Sequence, residues 1–329
     1  MDTIRVGVVG VGSMGRTHVA AFTAAGAEVT CVCDPDEARR EAVAREFGVS
    51  RTTGDLEELI GSDVDVVVVA TPEALHLRPA LAALQADKHV LIEKPLATTP
   101  AEANEIAAEA RRSDRVVMPG LNLRYDPRYR MVKDWLREGG HGETVSLYVR
   151  RNRPAPLFTQ YSRIHPAFET GSHDIDVVLW YTGQRVRRVS AVQRRRPGDV
   201  NPHAIWALME LDGGAVATLE TVWLIPEGAR LFRGDALELI TERGMAHIDI
   251  ADPGIVFWEE AGQTSRDPIF DPNSLNGSSL SVRSEVEEFL RCIRGEVDTP
   301  EMSLADAVHG VEVVDAMVRA AETGTIVEL

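Results

Sequence analysis

A glycine-rich turn that follows a run of valines is the feature that most restricts how this chain can fold. The sequence VGVVGVGSMG places Gly10, Gly12 and Gly15 directly after the apolar segment Val6–Val9, and Met14–Ala25 has helical spacing. A buried parallel strand that turns sharply into a helix needs glycine where the backbone bends and where the helix touches the strand. The pattern predicts a strand, turn and helix whose amino terminus can face a phosphate group.

The first 120 residues alternate between β-branched runs and helical patterns. Several of these strands are apolar throughout, which is typical of parallel strands that are covered on both faces. We therefore expect a doubly wound α/β domain with a parallel sheet over residues 1–120. The predicted strands are Val6–Val9, Glu28–Cys33, Val64–Ala70, His89–Glu93 and Val116–Pro119, and the predicted helices are Met14–Ala25, Glu37–Phe47, Leu56–Leu59, His76–Ala86 and Ala101–Ser113.

The pattern changes in the rest of the chain. Segments such as ETVSLYVRRN and DALELITERGMAHIDI alternate apolar and polar residues, and Gly213 and Gly214 stand in a hairpin position between two such segments. We expect residues 121–329 to form a second, α+β domain with a large, open, mostly antiparallel sheet. Two helices, Val282–Arg294 and Leu304–Glu322, are predicted near the end.

The composition excludes several classes of partner. The chain has 329 residues, of which 44% are hydrophobic and 26% charged, as in an ordinary globular protein. Its formal net charge of −16 would repel nucleic acids and anionic membranes. Small molecules or other proteins remain as partners.

The apolar runs, the first residues and the cysteine spacing favour an ordinary cytoplasmic protein. No apolar run reaches the roughly 18 residues that span a bilayer, and the start MDTIRV has no secretory signal pattern, so we expect the cytoplasm. Cys31, Cys33 and Cys292 have neither metal-ligand nor disulfide spacing. We interpret them as buried thiols and expect no metal site.

An acidic residue at the end of the second strand strengthens the dinucleotide interpretation. Asp34 follows the glycine turn at about the 20-residue interval at which a carboxylate bonds the adenosine ribose and repels a 2′-phosphate. Alternatively, Asp34 caps the next helix, with Pro35 as its first residue. NAD is favoured over NADP, although Arg39 or Arg40 could offset the repulsion and make NADP possible.

The segment VLIEKPLATTP carries a second candidate. Lys94 lies at the carboxyl end of the predicted strand His89–Glu93, where open α/β sheets bind ligands. Pro95 fixes the backbone there and is a candidate for a cis peptide. The alternative is that Lys94 is a solvated surface charge.

Five segments together resemble one protein family. GVVGVGSMGRTH, ATPEALH, ALQADKHVLIEKPLA, GLNLRYDP and GSHDIDVVLWYTG, in this order and spacing, are similar to the glucose-fructose oxidoreductase, inositol dehydrogenase and MocA (Gfo/Idh/MocA) family, and the resemblance covers nearly the whole chain. The resemblance implies a Rossmann domain, a nicotinamide cofactor and an oligomer.

The resemblance also implies catalytic residues. Lys94 and His173 match the lysine and histidine that flank the reacting carbon in the family. His173 would accept the hydroxyl proton and Lys94 would stabilise the developing alkoxide. Glu169 stands where the family usually has aspartate, and Asp176 could orient the imidazole of His173 or cap a turn.

Other positions are implied to line the two binding sites. Glu73 departs from the family's usual asparagine, and Arg124 is either part of the crevice wall with Tyr125 or one side of an ion pair between domains. His165 belongs to a donor-rich specificity loop with the substrate residues. The implied cofactor-binding residues are Gly10, Gly12, Ser13, Met14, Gly15, Asp34, Ala70, Thr71, Pro72, His76, Glu93, Lys94 and Asn122, and the implied substrate-binding residues are Lys94, Tyr161, Arg163, Glu169 and His173.

Together these observations predict an NAD(P)-dependent oxidoreductase that moves hydride between nicotinamide and a secondary carbon of a sugar, sugar derivative or inositol-like cyclic polyol. An NAD-dependent enzyme that cleaves glycosides by transient oxidation and elimination is the first alternative, and a non-catalytic dinucleotide sensor is the second. We expect a homodimer or homotetramer assembled through the sheet of the second domain.

Overall fold

The computed structural model describes residues 3–226, 229, 234–250, 255–259, 262–266 and 279–329. By packing, one unit holds the chain up to Asp126 together with a segment that ends at Val308. The other unit holds Pro127–Arg266 and His309–Leu329. The division at residue 120 into a cofactor domain and a substrate domain stays a prediction about function.

The first unit is built on a six-stranded parallel sheet, as the apolar runs predict. The strands stand in the order β3-β2-β1-β4-β5-β6. All four valines of β4 are fully buried, because helices cover both faces of the sheet. The strands are β1 (Arg5–Val9), β2 (Glu28–Cys33), β3 (Arg51–Thr53), β4 (Val66–Val69), β5 (His89–Glu93) and β6 (Val117–Gly120).

The helices of this unit begin and end at recognisable capping residues. At the start of the helix Glu37–Phe47, the side chain of Asp36 accepts a hydrogen bond from the backbone N–H of Arg39. At its end, Gly48 has the left-handed conformation. Phe22 of the first helix packs edge-on against Phe289 of the last. The helices are α1 (Ser13–Ala24), α2 (Glu37–Phe47), α3 (Leu56–Ile60), α4 (Leu77–Gln85), α5 (Pro100–Ala110) and α9 (Leu280–Ile293).

The second unit contains a seven-stranded sheet in the order β12-β11-β7-β10-β9-β8-β15, in which only the β7–β10 pair is parallel. The predicted hairpin is confirmed between β9 and β10, where Gly214 has φ +93°. The strands are β7 (Thr144–Asn152), β8 (Val186–Arg194), β9 (Ala204–Leu211), β10 (Val216–Val222), β11 (Gly234–Thr241), β12 (Gly244–Asp249) and β15 (Val327–Glu328), and a separate pair is β13 (Ile255–Glu259) and β14 (Gly262–Arg266).

Several elements of the fold were not predicted from the sequence. They include the short edge strand β3, the strands β13, β14 and β15, and three helices of the second unit. The remaining helices are α6 (Pro127–Glu138), α7 (Ala155–Gln160), α8 (Ser172–Thr182) and α10 (Leu304–Thr323). Within the described part of the chain, no helix has the length and apolar character needed to span a membrane. The three cysteines are buried free thiols, as predicted.

Candidate active site

The three glycines of the turn after β1 differ in what a side chain would meet at each position. Gly10 has φ +84°, and a Cβ there would lie 2.6 Å from the carbonyl oxygen of Ala70. A Cβ at Gly15 would overlap the carbonyl oxygen of Gly10. Gly12, the N-cap of α1, has φ −66°, and a Cβ there would meet no described atom within 4 Å. The space beside Gly12 is therefore open to a ligand that approaches the amino terminus of α1, where Ser13 and Met14 are the first residues.

This difference predicts opposite phenotypes for two alanine variants. Gly12→Ala should fold as the wild type does but raise the Kd for NAD about tenfold or more, because the Cβ fills the ligand space. Gly15→Ala should cost about 3 kcal/mol of stability, because the Cβ meets backbone that cannot move aside. Thermal denaturation and calorimetric titration with NAD measure the two effects. Unchanged NAD affinity in Gly12→Ala would contradict this assignment of the space.

Asp34 is held beside the glycine turn. Its carboxylate is buried, with Oδ2 accepting the backbone N–H of Val11 at 3.0 Å and Oδ1 accepting that of Asp36 at 2.9 Å. The capping alternative is wrong, because α2 begins at Glu37 and its N-cap is Asp36. Pro35 consequently lies outside the helix, and the carboxylate of Asp34 faces the glycine turn.

Two arginines surround Asp34. Arg39 Nη1 lies 3.5 Å from both carboxylate oxygens of Asp34, and Arg39 Nη2 lies 3.2 Å from Asp36 Oδ2. Arg40 Nη1 donates to the backbone oxygen of Asp34 at 3.2 Å. Both guanidinium groups are thus already engaged by the acidic residues around the turn.

The segment after β4 carries the predicted residues Ala70, Thr71, Pro72 and Glu73. Ala70 follows β4 directly and remains bonded to β1, since its N–H donates to the carbonyl oxygen of Val9 at 2.8 Å. Glu73 opens a 3₁₀ turn and is 8% exposed, so its carboxylate lies inside the protein rather than in solvent. Contacts of this segment with a cofactor stay a prediction.

His76 bridges two backbone turns. It is 1% exposed, with Nδ1 lying 2.9 Å from the carbonyl oxygen of Pro95 and Nε2 lying 3.0 Å from that of Thr71. Burial lowers the pKa of His76, and the two carbonyl contacts and the charges of Glu93 and Glu73 oppose that effect without reversing it. Both ring nitrogens therefore face backbone carbonyl oxygens, and the neutral ring donates its one N–H to one of the two.

Lys94 lies where the sequence predicts, directly after β5. Its backbone N–H donates to Oε2 of Glu93 at 3.1 Å, and the Lys94–Pro95 peptide is cis. Glu93 is buried, and a Cβ at Gly120 would lie 3.2 Å from its Cα, so β6 packs tightly against it. The lysine is half-buried, which argues against a freely solvated surface charge.

The sequence interpretation missed His18, which is the partner of Glu93. His18 lies in α1 and is fully buried, and its Nε2 is 2.6 Å from Glu93 Oε1. Burial alone would raise the pKa of Glu93, but the hydrogen bond and charge of His18, with Lys94 and His76, hold it below its usual value. A histidine one turn after a glycine motif was the only available signal.

Asn122, Arg124 and Tyr125 form a 3₁₀ turn after β6. Arg124 is 2% exposed and donates to Asp306 Oδ2 at 2.9 Å and to the carbonyl oxygen of Glu301 at 2.8 Å. All of these partners belong to the first unit, so this ion pair is internal to it. The ion pair between domains that the sequence allows for Arg124 stays a prediction.

Glu169 and His173 lie on consecutive turns of the second unit. Ala167–Gly171 is a π-helical turn that leads directly into α8, whose second residue is His173. Both side chains are half-buried. Asp176 follows His173 by one helical turn and is buried. Its role as a group that orients the imidazole of His173 stays a prediction.

Buried hydrogen bonds fix this pair of turns. Thr170 Oγ1 lies 2.8 Å from Thr221 Oγ1, and Trp223 Nε1 donates to Thr221 Oγ1 at 3.1 Å. Arg151 of β7 donates to both carboxylate oxygens of Asp174, the residue after His173. The sheet therefore holds the first turn of α8 on two sides.

Side chains of the predicted specificity loop contact one another and residues of the second unit outside the loop. Tyr161 packs edge-on against Trp223, with ring centroids 5.9 Å apart, and the guanidinium of the exposed Arg163 stacks over the Tyr161 ring at 5.2 Å. His165 Nδ1 accepts the N–H of Ala167 at 3.1 Å, and its Nε2 lies 3.2 Å from Gln193 Oε1. His165 must be neutral to accept at Nδ1, and it supports the loop.

This contact predicts acid sensitivity. Burial is the largest cause that lowers the pKa of His165 from 6.5 to about 4. Between those pH values the unfolded chain binds a proton that the folded protein does not, so stability is lost as the pH falls from 6.5 toward 4. Thermal denaturation should show a smaller fall in Tm over this window for His165→Asn, whose oxygen can accept from Ala167. Equal falls in both proteins would refute the assignment.

The structure therefore assembles two groups of predicted residues. In the first unit, the glycine turn, Asp34, residues 70–73 and Lys94 all lie at the carboxyl ends of β1, β2, β4 and β5. In the second unit, Glu169 and His173 lie on adjoining turns, with Tyr161 and Arg163 in the preceding loop. Among the residues described, no cluster of His, Cys, Asp or Glu is arranged to hold a metal ion.

Two family models match the chain. The model described as "Oxidoreductase family, NAD-binding Rossmann fold" matches residues 4–121, and the GFO/IDH/MocA C-terminal domain matches residues 129–247. Inositol 2-dehydrogenase 1 of Saccharopolyspora erythraea is 33% identical over 334 residues, which cover 99% of this chain and 96% of the relative. Inositol 2-dehydrogenase of Salmonella typhimurium is 28% identical, with 99% and 97% covered.

A solved structure gives the same picture of the fold. Scyllo-inositol dehydrogenase from Lactobacillus casei, with bound NAD(H) and scyllo-inositol, matches with a TM-score of 0.86 at 24% identity. The match covers 99% of both chains. Both sheets of the present structure therefore belong to one known architecture.

Proposed function

The chain belongs to the Gfo/Idh/MocA family of NAD-binding oxidoreductases, and from this premise we propose that it oxidises a secondary alcohol of an inositol-like cyclic polyol. The observation that carries the substrate class is the 33% identity to an inositol 2-dehydrogenase over nearly the full length of both chains. The enzyme class, an NAD-dependent dehydrogenase acting on CH–OH groups, follows from the family itself.

The glycine turn and Asp34 are proposed to bind NAD. The open space at Gly12 admits the pyrophosphate to the amino terminus of α1, where Ser13 and Met14 supply N–H groups. The carboxylate of Asp34 accepts the ribose hydroxyls. Because Arg39 already contacts both Asp34 and Asp36, it offers no separate 2′-phosphate site, which supports NAD over NADP. The remaining proposed cofactor contacts are Gly10, Gly15, Ala70, Thr71, Pro72, His76, Glu93, Lys94 and Asn122.

Lys94 and His173 are proposed to flank the reacting carbon. The bound nicotinamide supplies the hydride acceptor. As hydride leaves the carbon, the hydroxyl must lose its proton, and His173 accepts it. The Lys94 ammonium stabilises the negative charge that develops on the same oxygen. Glu169, Tyr161 and Arg163 are proposed to bind the other hydroxyl groups, since carboxylate, phenol and guanidinium together offer both acceptors and donors.

Absorbance of reduced nicotinamide tests the proposal. Purified protein is mixed with NAD or NADP and with myo-inositol, scyllo-inositol, aldoses or aryl glycosides. We expect reduced cofactor with an inositol and NAD. Release of an aglycone without net reduction would instead support the glycoside-cleaving alternative, which the dehydrogenase relatives do not favour. NAD binding without any turnover would support the sensor alternative.

An exposed apolar face of the second sheet is proposed to meet a second copy of the chain. Val192 on β8 is 65% exposed, and Trp206 and Leu208 on the adjacent strand β9 are 37% and 44% exposed. Trp206 is paired directly with Val192. Large exposed apolar patches mark interaction surfaces. Light scattering should give a dimer or tetramer for the wild type and a smaller species for Val192→Glu. A monomeric wild type would contradict this.

A further inference from the structure

The backbone on either side of Lys94 is held by a buried histidine. We propose that His18 and His76 are positioning residues, which hold the Lys94 turn in register with the turns that bind the dinucleotide. The inference rests on the proposed function for its kinetic readout. In this role both histidines act on the backbone around Lys94 and not on the reacting atoms.

On the amino side, Glu93 transmits the contact. Its Oε2 accepts the backbone N–H of Lys94 at 3.1 Å, and its Oε1 lies 2.6 Å from His18 Nε2. His18 Nδ1 is buried without a hydrogen-bond partner in the described part of the chain, so His18 makes its side-chain contact through Nε2. A carboxylate bridged in this way has both oxygens occupied and cannot swing away.

On the carboxyl side, His76 makes the contact directly. Its Nδ1 lies 2.9 Å from the carbonyl oxygen of Pro95, the residue after Lys94. Its Nε2 lies 3.0 Å from the carbonyl oxygen of Thr71. The ring nitrogen that makes the contact toward the lysine turn is therefore Nδ1 in His76, whereas it is Nε2 in His18.

Both histidines connect Lys94 to elements that carry the cofactor residues. His18 lies in α1, which begins at the glycine turn, and Thr71 follows β4 beside Gly10. The two rings are 0% and 1% exposed, so water cannot replace these contacts. A small displacement of a reacting group can cost about 100-fold in rate, so this bracing bears directly on turnover.

Because the two histidines make their contacts through different ring nitrogens, opposite substitutions should preserve the contact at the two positions. An asparagine amide reaches about as far as Nδ1 of histidine, and a glutamine amide about as far as Nε2. His76→Asn and His18→Gln therefore keep the contact toward Lys94, whereas His76→Gln and His18→Asn lose it. At each position we expect kcat of the variant that keeps the contact to exceed kcat of the variant that loses it by about 10- to 100-fold.

A second readout needs no turnover. The chain has three lysines, Lys88, Lys94 and Lys133, so protein labelled with [ε-¹³C]lysine gives three resolvable signals, and Lys94→Ala assigns one of them. We expect the NAD-induced shift of the Lys94 signal to be kept in His76→Asn and His18→Gln and lost in the two mismatched variants. If the wild type binds NAD but oxidises no polyol, the proposed function fails while this spectrum still decides the positioning role.

The outcomes separate positioning from general stability. A structural role alone would rank asparagine and glutamine in the same order at both sites, or make kcat follow Tm. Either result, or unchanged Lys94 spectra in all four variants, would overturn the proposal. If both variants at one position fail to fold, the Lys94 spectra of the pair at the other position decide the role of that histidine.

Discussion

Lys94→Ala should lower kcat for polyol oxidation by about a thousandfold, while the Kd for NAD changes by less than about threefold. The lysine ammonium is the cation assigned to the oxygen that gains negative charge as hydride leaves, so its removal affects the transition state more than the ground state. Stopped-flow absorbance of reduced nicotinamide and calorimetric titration with NAD measure the two quantities.

Lys88→Ala is the matched control. Lys88 stands before the same strand, and its Nζ donates to the carbonyl oxygen of Val64 at 2.8 Å, away from the carboxyl end of the sheet. Its replacement should leave kcat within about threefold. A Lys94→Ala enzyme with nearly normal kcat would remove Lys94 from the chemistry, whatever its place in the fold.

His173→Asn should lower kcat by about 100- to 1,000-fold and change its pH dependence. In the wild type, the rate of alcohol oxidation should rise with pH as the base loses its proton. The variant should lack this limb, because no imidazole remains to accept the hydroxyl proton. Rate profiles from pH 5 to about 9 test this, since histidine changes charge within that range.

His247→Asn serves as the control for that experiment. His247 is exposed on β12, so its replacement should leave both kcat and the pH profile unchanged. If His173→Asn retained the wild-type limb, the base would have to be another group, and Glu169 would be the first candidate.

Local patterns sufficed to predict five of the six strands of the first sheet. The four consecutive valines of β4 are apolar on both faces, as is typical of a covered parallel strand, and β2 ends in the buried residues Cys31, Val32 and Cys33. The sequence did not predict β3, because this edge strand consists of the three polar residues Arg51–Thr53. Its strand character comes from pairing with β2 and not from its composition.

The site was predictable only where a motif is local. Gly10, Gly12 and Gly15 form one turn, and the structure gives each a distinct steric reason. The contact of His18 with Glu93 joins residues 75 positions apart, so no short segment contains it. The bridging of two turns by His76 is likewise set by tertiary packing.

Isotope transfer tests the central claim most directly. A polyol carrying deuterium on the carbon to be oxidised is incubated with the enzyme and NAD, and the reduced cofactor is analysed by mass spectrometry. The account predicts that the deuterium is recovered in the reduced nicotinamide. Oxidised polyol with the deuterium lost to water and unlabelled reduced cofactor would contradict direct hydride transfer from that carbon.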